Sequence, residues 1–596
     1  MPAIPLEVCL PGDEVGDSLV RPGGRWVSAV LVERAAGETR TRLVMRPVGG
    51  GEPVDLLADP APLAPRGLSG GCHTWSPSGD TVHVVTRDAG IVSVHLAEDA
   101  PVRIEHTAFD TGRSWSTPAV DATGAVLHAV ADWCELWRAD IGGGERLLVY
   151  TTTDGFLMDA DASDSPRAHV WTRPEMSWTT STIWPDPPMS GVAVQQPRST
   201  LDGRTRGHLS DENGTMNLVL DADHVVPRRT VLADDAEHGG PTWGPGQRTW
   251  CPSPDGTRVA YTRNEEGFGS LWVWDRRTDE RFRVARAVHG CLSWQGDTLA
   301  ALRTGARTPT QLVAYDTAAD FARTVLADPG RGAWAAHDAE LVEPECLRLP
   351  GDVGPIPARL YRPPTPHGGL IVWVHGGPTD QWQVTFRPRL AWWTSRGWTI
   401  AVIDPRGSTG HGRAFALALE GGWGDADAAD TVAAARSLQA MLGTDAARTV
   451  FMGSSAGGLT VLAAAARAPE LVAAVVAAYP VVDLAELAHG DDPFETHYVP
   501  RLVGARDADD PVLQERSVHT RAHSLASVPV LLLHGDADPV VPLVHSLRLR
   551  DALVAVGGRP ELEVFAGEGH GFRDPVNIAR EHAASEDFLA RHVRLG

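Results

Sequence analysis

Thr449-Val-Phe-Met452-Gly453-Ser-Ser455-Ala-Gly457-Gly-Leu459 decides the fold of the second half of this chain. A short apolar strand enters Gly-x-Ser-x-Gly and leaves straight into an Ala-rich helix over 459–467. That is the sequence of a nucleophile elbow, a turn so tight that Ser455 must hold a strained backbone with its hydroxyl projecting. Glycine at 453 and 457 fits because a side chain there would collide with the neighbouring strand or helix. The N–H of Ala456, at the start of the helix, is then aimed at any negative oxygen that forms beside Ser455.

Working outward, apolar strands alternate with helix-length segments from Pro350 onward, the pattern of a parallel sheet covered on both faces. Strands are predicted at 370–374, 399–403, 449–452, 473–478, 530–533 and 562–565, and helices at 425–442, 545–556 and 577–591. In such a fold the base follows the last strand and the acid follows the one before it. The last strand opens into Ala566-Gly-Glu-Gly-His570-Gly-Phe572, and a histidine among glycines can reach across the sheet, so His570 is the expected base. His375, His411, His534 and His545 are its rivals by composition. His375 and His534 directly follow strands and precede tight turns, where a supporting role suits them better.

The acid belongs in His534-Gly-Asp536-Ala-Asp538-Pro539. Asp536 and Asp538 both qualify by chemistry, and Asp538 is preferred because it falls just past the turn. His375-Gly376-Gly377-Pro378 offers bare backbone N–H groups after the first long strand, so Gly377 with Ala456 is the expected oxyanion pair. Trp382, Phe494 and Tyr498 are candidate walls of a substrate pocket, with burial in the core as the other reading of each.

The first half has a different character. From 18 to 335 it consists of short strands, turn residues and tryptophans without a long helical period. Trp75-Ser-Pro-Ser-Gly-Asp80 leads into an apolar strand, and Cys251-Pro-Ser-Pro-Asp-Gly256 leads into another. Pro presets φ in such a turn and Gly accepts a positive φ. Weaker echoes stand at Arg21–Trp26, Val120–Gly124 and Leu292–Asp297, with less regular ones around 170–184 and 207–221. A spacing of roughly forty to fifty residues is the length of one four-stranded propeller blade, and about seven blades are expected. Glu265-Glu266 reads as the connection between two strands of a blade, in preference to a clamp for a substrate's ammonium group.

Composition narrows the chemistry. A chain of 596 residues is too long for one core. The formal charge of −23 disfavours nucleic acid as a partner. No lysine occurs, so all 53 basic residues are arginine, which excludes a Walker loop, a pyridoxal Schiff base and a Ser-Lys dyad. Cys9, Cys72, Cys134, Cys251, Cys291 and Cys346 show no metal-binding or disulfide spacing and suit a reducing compartment. Without a basic start and apolar core at the N-terminus, or an apolar run long enough to span a bilayer, a cytoplasmic protein with no membrane partner is expected.

Six stretches together resemble the prolyl oligopeptidase family of serine peptidases (S9), with acylaminoacyl-peptidase-like members closest. They are His375–Pro378, Asp404-Pro-Arg-Gly-Ser-Thr-Gly-His-Gly412, Gly421–Asp425, Gly453–Gly457, His534–Asp538 and Gly567–Gly571. The resemblance implies a propeller capping an α/β-hydrolase domain, with peptides cut between them, and it also favours Asp538 over Asp536. Asp404-Pro405 departs from the Asn-Tyr type of pair that many relatives carry there.

The expected organisation is an N-terminal segment at 1–17, a β-propeller at 18–335 and an α/β-hydrolase domain with a mostly parallel, doubly wound sheet at 340–596. The expected activity is hydrolysis of short peptides or acylated peptides through an acyl-enzyme, with no cofactor and no metal. An esterase or amidase acting on a small metabolite, and an inactive scaffold, are the alternatives. A homo-oligomer is allowed by the sequence, and nothing in it sets the copy number.

Overall fold

Seven small antiparallel sheets follow one another along the first half of the chain, each made of consecutive strands (14–57, 73–106, 115–151, 155–184, 194–231, 250–286 and 288–327). They are the blades of a β-propeller. Six have four strands and the fourth has three among the described residues. The computed structural model describes residues 3–35, 38–162, 166–490, 492 and 494–595. Met1–Pro11, Ala333–Trp382 and Arg387–Gly596 form one compact unit, and Gly12–Gly332 with Gln383–Phe386 form the other.

The turn chemistry read from the sequence joins the first and second strands of the blades. Ser253 Oγ donates to Asp255 at 2.7 Å and accepts the Arg258 N–H at 2.9 Å, closing the loop around Gly256. Ser76 accepts the Thr81 N–H at 3.1 Å in the same way. Thr200 repeats the device in the fifth blade, accepting the Thr205 N–H at 3.1 Å while its hydroxyl donates to Asp202 at 2.6 Å. Glu265 ends one strand of the sixth blade and Phe268 starts the next, so Glu265-Glu266 lies at a hairpin.

The first blade begins at Glu14, ahead of the expected start at residue 18. The sequence hides this start because the strand is irregular: Asp17 takes φ 47° and the register shifts between Gly16 and Leu19. One residue at or just ahead of the innermost strand is left-handed in every blade: Asp17, Gly71, Thr117, Asp159, Gln196, Gly246 and Cys291. Each leaves the pleat there and turns polar groups inward.

Those groups meet across the propeller. Gly70 N–H donates to the Gly246 carbonyl at 2.7 Å, joining the second blade to the sixth. Blades that far apart in a ring of seven can touch only through its centre. Gly246 N–H in turn donates to Asp159 at 2.6 Å, and Arg248 donates to Asp17 at 2.8 Å. Among the described residues no strand is shared between the first and last blades. Ser18 Oγ instead donates to the Cys291 carbonyl, and Ser293 Oγ accepts the Val20 N–H.

The second unit is an eight-stranded sheet. Its strands are β1 (Glu345–Leu349), β2 (Ile356–Tyr361), β3 (Leu370–Val374), β4 (Thr399–Ile403), β5 (Thr449–Ser454), β6 (Ala474–Ala478), β7 (Val530–Gly535) and β8 (Glu561–Phe565). They lie in the order β1-β2-β4-β3-β5-β6-β7-β8, parallel from β4 onward. The antiparallel pair β1 and β2 was not legible in the sequence. The interior strands β3, β4 and β6 are buried throughout, which their unbroken apolar runs require. The helices that matter below are α1 (Pro388–Ser395), α2 (Ala426–Leu442), α3 (Ala456–Arg467), α4 (Glu495–Val503), α5 (Val544–Ala555) and α6 (Pro575–His592). The first residues of the chain belong to this unit: Ile4 N–H donates to Ser395 Oγ at 3.1 Å, at the end of α1.

Candidate active site

β5 runs into Ser455 and α3 starts at the next residue. Ser455 holds φ 54° and ψ −125°, a conformation rare for any residue with a side chain. A Cβ on Gly453 would lie 2.3 Å from the Gly457 carbonyl oxygen, and one on Gly457 would lie 2.3 Å from that of His375. Only glycine allows strand, helix and the 375–378 loop to close this tightly. The Ser455 backbone is gripped from both sides: its N–H donates to the Ala478 carbonyl at 3.0 Å, and its carbonyl accepts the Val481 N–H at 3.2 Å.

His570 reaches back from the loop after β8. Its Nε2 lies 3.0 Å from Ser455 Oγ and its Nδ1 lies 2.8 Å from Asp538 Oδ2. Asp538 Oδ1 accepts the N–H groups of Val540 and Val541, each at 2.9 Å. Burial pushes the Asp538 carboxyl up, but the His570 contact and the two N–H bonds outweigh it and hold the group below its ordinary value. Asp536 takes another partner, the Gly567 N–H, at 2.7 Å.

The rival histidines are occupied elsewhere. His375 packs its ring between Ser408 Oγ at 2.8 Å and the Gly376 carbonyl at 2.6 Å. His534 bridges Ser546 Oγ and the Val541 carbonyl, bracing the turn that carries Asp538. His411 Nε2 lies 2.8 Å from Asp404, and His545 Nδ1 accepts the Val482 N–H.

Ala456 is the first residue of α3, where the N–H has no carbonyl within the helix to bond. The 375–378 loop lies against the elbow, since a Cβ on Gly376 would sit 3.5 Å from that of Ser455. Gly377, the next residue, holds φ 125° and precedes a cis Pro378.

The three candidate wall residues fall in different places. Tyr498, on α4, is 2% exposed, and its hydroxyl bonds to Thr379 Oγ1, which follows the Gly377-Pro378 step. Phe494 is 7% exposed. Trp382 packs on Trp373 with ring centroids 5.6 Å apart, and the Arg387 guanidinium lies 4.3 Å from its ring centre. It lines a cavity of about 40 Å³ with Arg389, Ser454 and Glu581.

Asp404, the first residue of one of the six family-like stretches, is a hub whose partners the sequence did not disclose. It pairs with Arg359 through both oxygens, and Oδ2 also accepts from Gln381 at 2.9 Å and His411 at 2.8 Å. Burial pushes its carboxyl up, yet Arg359 and His411 hold it far below the usual carboxylate range. Arg359 on β2 was the available signal, an arginine within an otherwise apolar strand pattern.

Among the described residues no group of His, Cys, Asp or Glu side chains could hold a metal ion, and no helix is long and apolar enough to cross a membrane.

The sequence profile of the prolyl oligopeptidase family matches residues 384–596. Dipeptidyl peptidase family member 6 of Caenorhabditis elegans is 30% identical over 230 residues, covering 37% of this chain and 30% of the nematode protein. The chain thus spans less than a third of that relative's length. Dipeptidyl aminopeptidase BIII of Pseudoxanthomonas mexicana is 25% identical over 563 residues, covering 87% of this chain and 79% of the relative. A Mycobacterium tuberculosis puromycin-hydrolyzing peptidase superposes with a TM-score of 0.86 at 24% identity, covering 99% of this chain and 96% of that one, a likeness of fold. Residues 384–596, most of the hydrolase unit, thus match the prolyl oligopeptidase family, and the seven-bladed propeller that precedes them gives the chain a build similar to that of the puromycin-hydrolyzing peptidase.

Proposed function

We propose that this serine hydrolase is a peptidase that cleaves short peptides through an acyl-enzyme, as an exopeptidase of the aminopeptidase or acylaminoacyl-peptidase type. The observation that carries the reading is the unbroken line Ser455 Oγ, His570 Nε2, His570 Nδ1, Asp538 Oδ2. In it, His570 takes the Ser455 proton as the oxygen attacks the scissile carbonyl. Asp538 fixes the tautomer that leaves Nε2 free to do so and stabilises the imidazolium. Ala456 and Gly377 N–H groups hold the oxyanion, which forms at the positive end of α3. His570 then gives its proton to the leaving amine, and water repeats the cycle on the acyl-enzyme.

The long match to a dipeptidyl aminopeptidase supports the exopeptidase reading. Cys9, Cys72, Cys134, Cys251 and Cys291 are free thiols, which supports the cytoplasm as the compartment. The test is a substrate panel: an amino-acid anilide, a dipeptide anilide, an N-acetylated anilide and a simple acyl ester. Preference for the first two assigns an aminopeptidase and for the third an acylaminoacyl peptidase. Turnover of the ester alone makes the protein an esterase and overturns the peptidase reading. A fluorophosphonate probe labels Ser455 under either outcome.

A further inference from the structure

Directly after β6 stands a residue that the reaction scheme leaves unused. Tyr479 holds φ 36°, left-handed and without the excuse of being glycine. Ala478 just before it and Val481 two residues after it are the residues whose backbone grips Ser455. Its own N–H donates to the Leu533 carbonyl on β7 at 2.6 Å. The strained backbone therefore sits on the segment that joins the elbow to the strand leading to Asp538.

The Tyr479 side chain faces the site as well. Its ring meets the His570 imidazole edge-on, with centroids 4.8 Å apart and planes at 61°. Phe572 also meets the Tyr479 ring edge-on, with centroids 5.5 Å apart and planes at 87°. The hydroxyl is turned toward the Ser454 side chain and the Arg389 guanidinium. A Cβ on Gly571 would come within 3.9 Å of that hydroxyl, so the loop bearing His570 passes directly over it. Burial pushes the phenol above its ordinary value, against the nearby Arg389 charge, so it stays protonated and can donate.

Arg389 is held in turn. It donates to Glu581 at 2.5 Å, joining α1 to α6. Arg389, Glu581 and Ser454 all line the 40 Å³ cavity. Tyr479 thus stands between an ion pair joining two helices and the ring of the base, beside the residue preceding the nucleophile.

We propose that Tyr479 is a positioning residue, whose hydroxyl, anchored by Ser454 and the Arg389–Glu581 pair, holds its ring against His570 and keeps Nε2 on the line to Ser455 Oγ. The inference rests on the reading of Ser455 as nucleophile and His570 as base. A ring anchored at its far end resists sideways swing of the imidazole, and misplacement of about 1 Å costs roughly a hundredfold in rate. Tyr479 touches no reacting atom, so it acts through His570 alone.

The experiment compares Tyr479→Phe, Tyr479→Leu and Ser455→Ala, with active sites counted by fluorophosphonate titration and kcat expressed per titrated site. Tyr479→Phe, which keeps the ring and loses the anchor, is expected to lower kcat about tenfold with KM within twofold. Tyr479→Leu is expected to lower it about a hundredfold, again with KM little changed. A purely structural role would reduce the number of titratable sites and leave kcat per site intact. That result in Tyr479→Phe, which preserves shape, overturns the proposal even if the Leu variant fails to fold. Wild-type activity in Ser455→Ala would instead overturn the parent reading, and this one with it.

Discussion

Asp536 and Asp538 stand on one turn and take different partners: Asp538 Oδ2 lies 2.8 Å from His570 Nδ1, whereas Asp536 Oδ1 accepts the Gly567 N–H at 2.7 Å. Two carboxylates that chemistry alone could not separate are separated by one hydrogen bond each. Asp538→Asn is expected to lower kcat by about 10⁴, because an amide at this position favours the wrong imidazole tautomer. Asp536→Asn is expected to stay within about tenfold of the parent, since it loses one loop contact. Steady-state kinetics on variants with normal melting curves decides the ranking, and the reverse order would move the acid to Asp536.

Ser455→Ala removes one oxygen from a residue whose backbone is fixed by Ala478 and Val481. Folding should be unchanged while kcat falls by about 10⁶. Loss of fluorophosphonate labelling with an unshifted melting temperature is the expected pair of observations. Retained labelling would point to Ser454.

Asp404→Ala leaves Arg359 charged within a strand that is buried from end to end. Breaking a buried pair from one side costs about 3–5 kcal/mol, so urea unfolding of the hydrolase unit should shift by that amount. Asp404→Asn should fall between, because it keeps the shape and some hydrogen bonds. A shift below 1 kcal/mol in the Ala variant would remove Asp404 as a structural hub.

Four histidines give the propeller a pH dependence. His83, His128, His169 and His208 each occupy the third position of the second strand in blades two to five, and all four are buried. Burial lowers His83 and His128 to about 4, and His169 and His208 to about 3. Above the unfolded value of about 6.5 both states are neutral and stability is unaffected. As pH falls below 6.5 the unfolded chain takes up protons that the folded one refuses. Stability is then lost at about 1.4 kcal/mol per unit per histidine, until the folded values are reached. Asp159 and Asp161, raised by burial, work in the opposite direction at lower pH. Between pH 7.5 and 5.5 these four histidines should cost the propeller roughly 5 kcal/mol, His289 and His238, also lowered by burial, add to the loss, and His169→Gln should make the dependence shallower by about a fifth. A melting curve flat over this interval would contradict the assignment.

Those histidines also show what the sequence disclosed and what it withheld. The Ser-Pro-Asp-Gly turns are local chemistry and could be read directly, and the triad residues could be ordered because each follows its own strand. Val126-Leu-His128, Arg167-Ala-His169 and Arg206-Gly-His208 repeat Thr81-Val-His83 at blade spacing, a periodic signal lost because the flanking turns vary. Thr200-Leu-Asp-Gly203 was missed since threonine replaces serine and leucine replaces proline in the same hydrogen-bonded loop. Tyr479, Arg389 and Glu581 lie far apart in the chain, on a strand end and two helices, and no local pattern marks such a convergence. Tyr498 looked like a pocket wall because aromatic residues there suit either role. Only its bond to Thr379 shows that it is tied to the loop carrying Gly377.

The hydrogen bond from Gly70 to Gly246 changes what kind of object the propeller is. A ring built from consecutive blades, with no strand shared at the seam, resembles a split washer that can spring open at one place. The bond between the second and sixth blades is a spoke through the hub, so parting the seam also means breaking a strut on the far side of the centre. The same strut is tied to a third blade, because the Gly246 N–H donates to Asp159. A side chain at residue 246 would have nowhere to go, as a Cβ there would stand 2.0 Å from the Gly70 oxygen. The smallest residue in the chain is here a mechanical fastener, and its lack of a side chain is the fit.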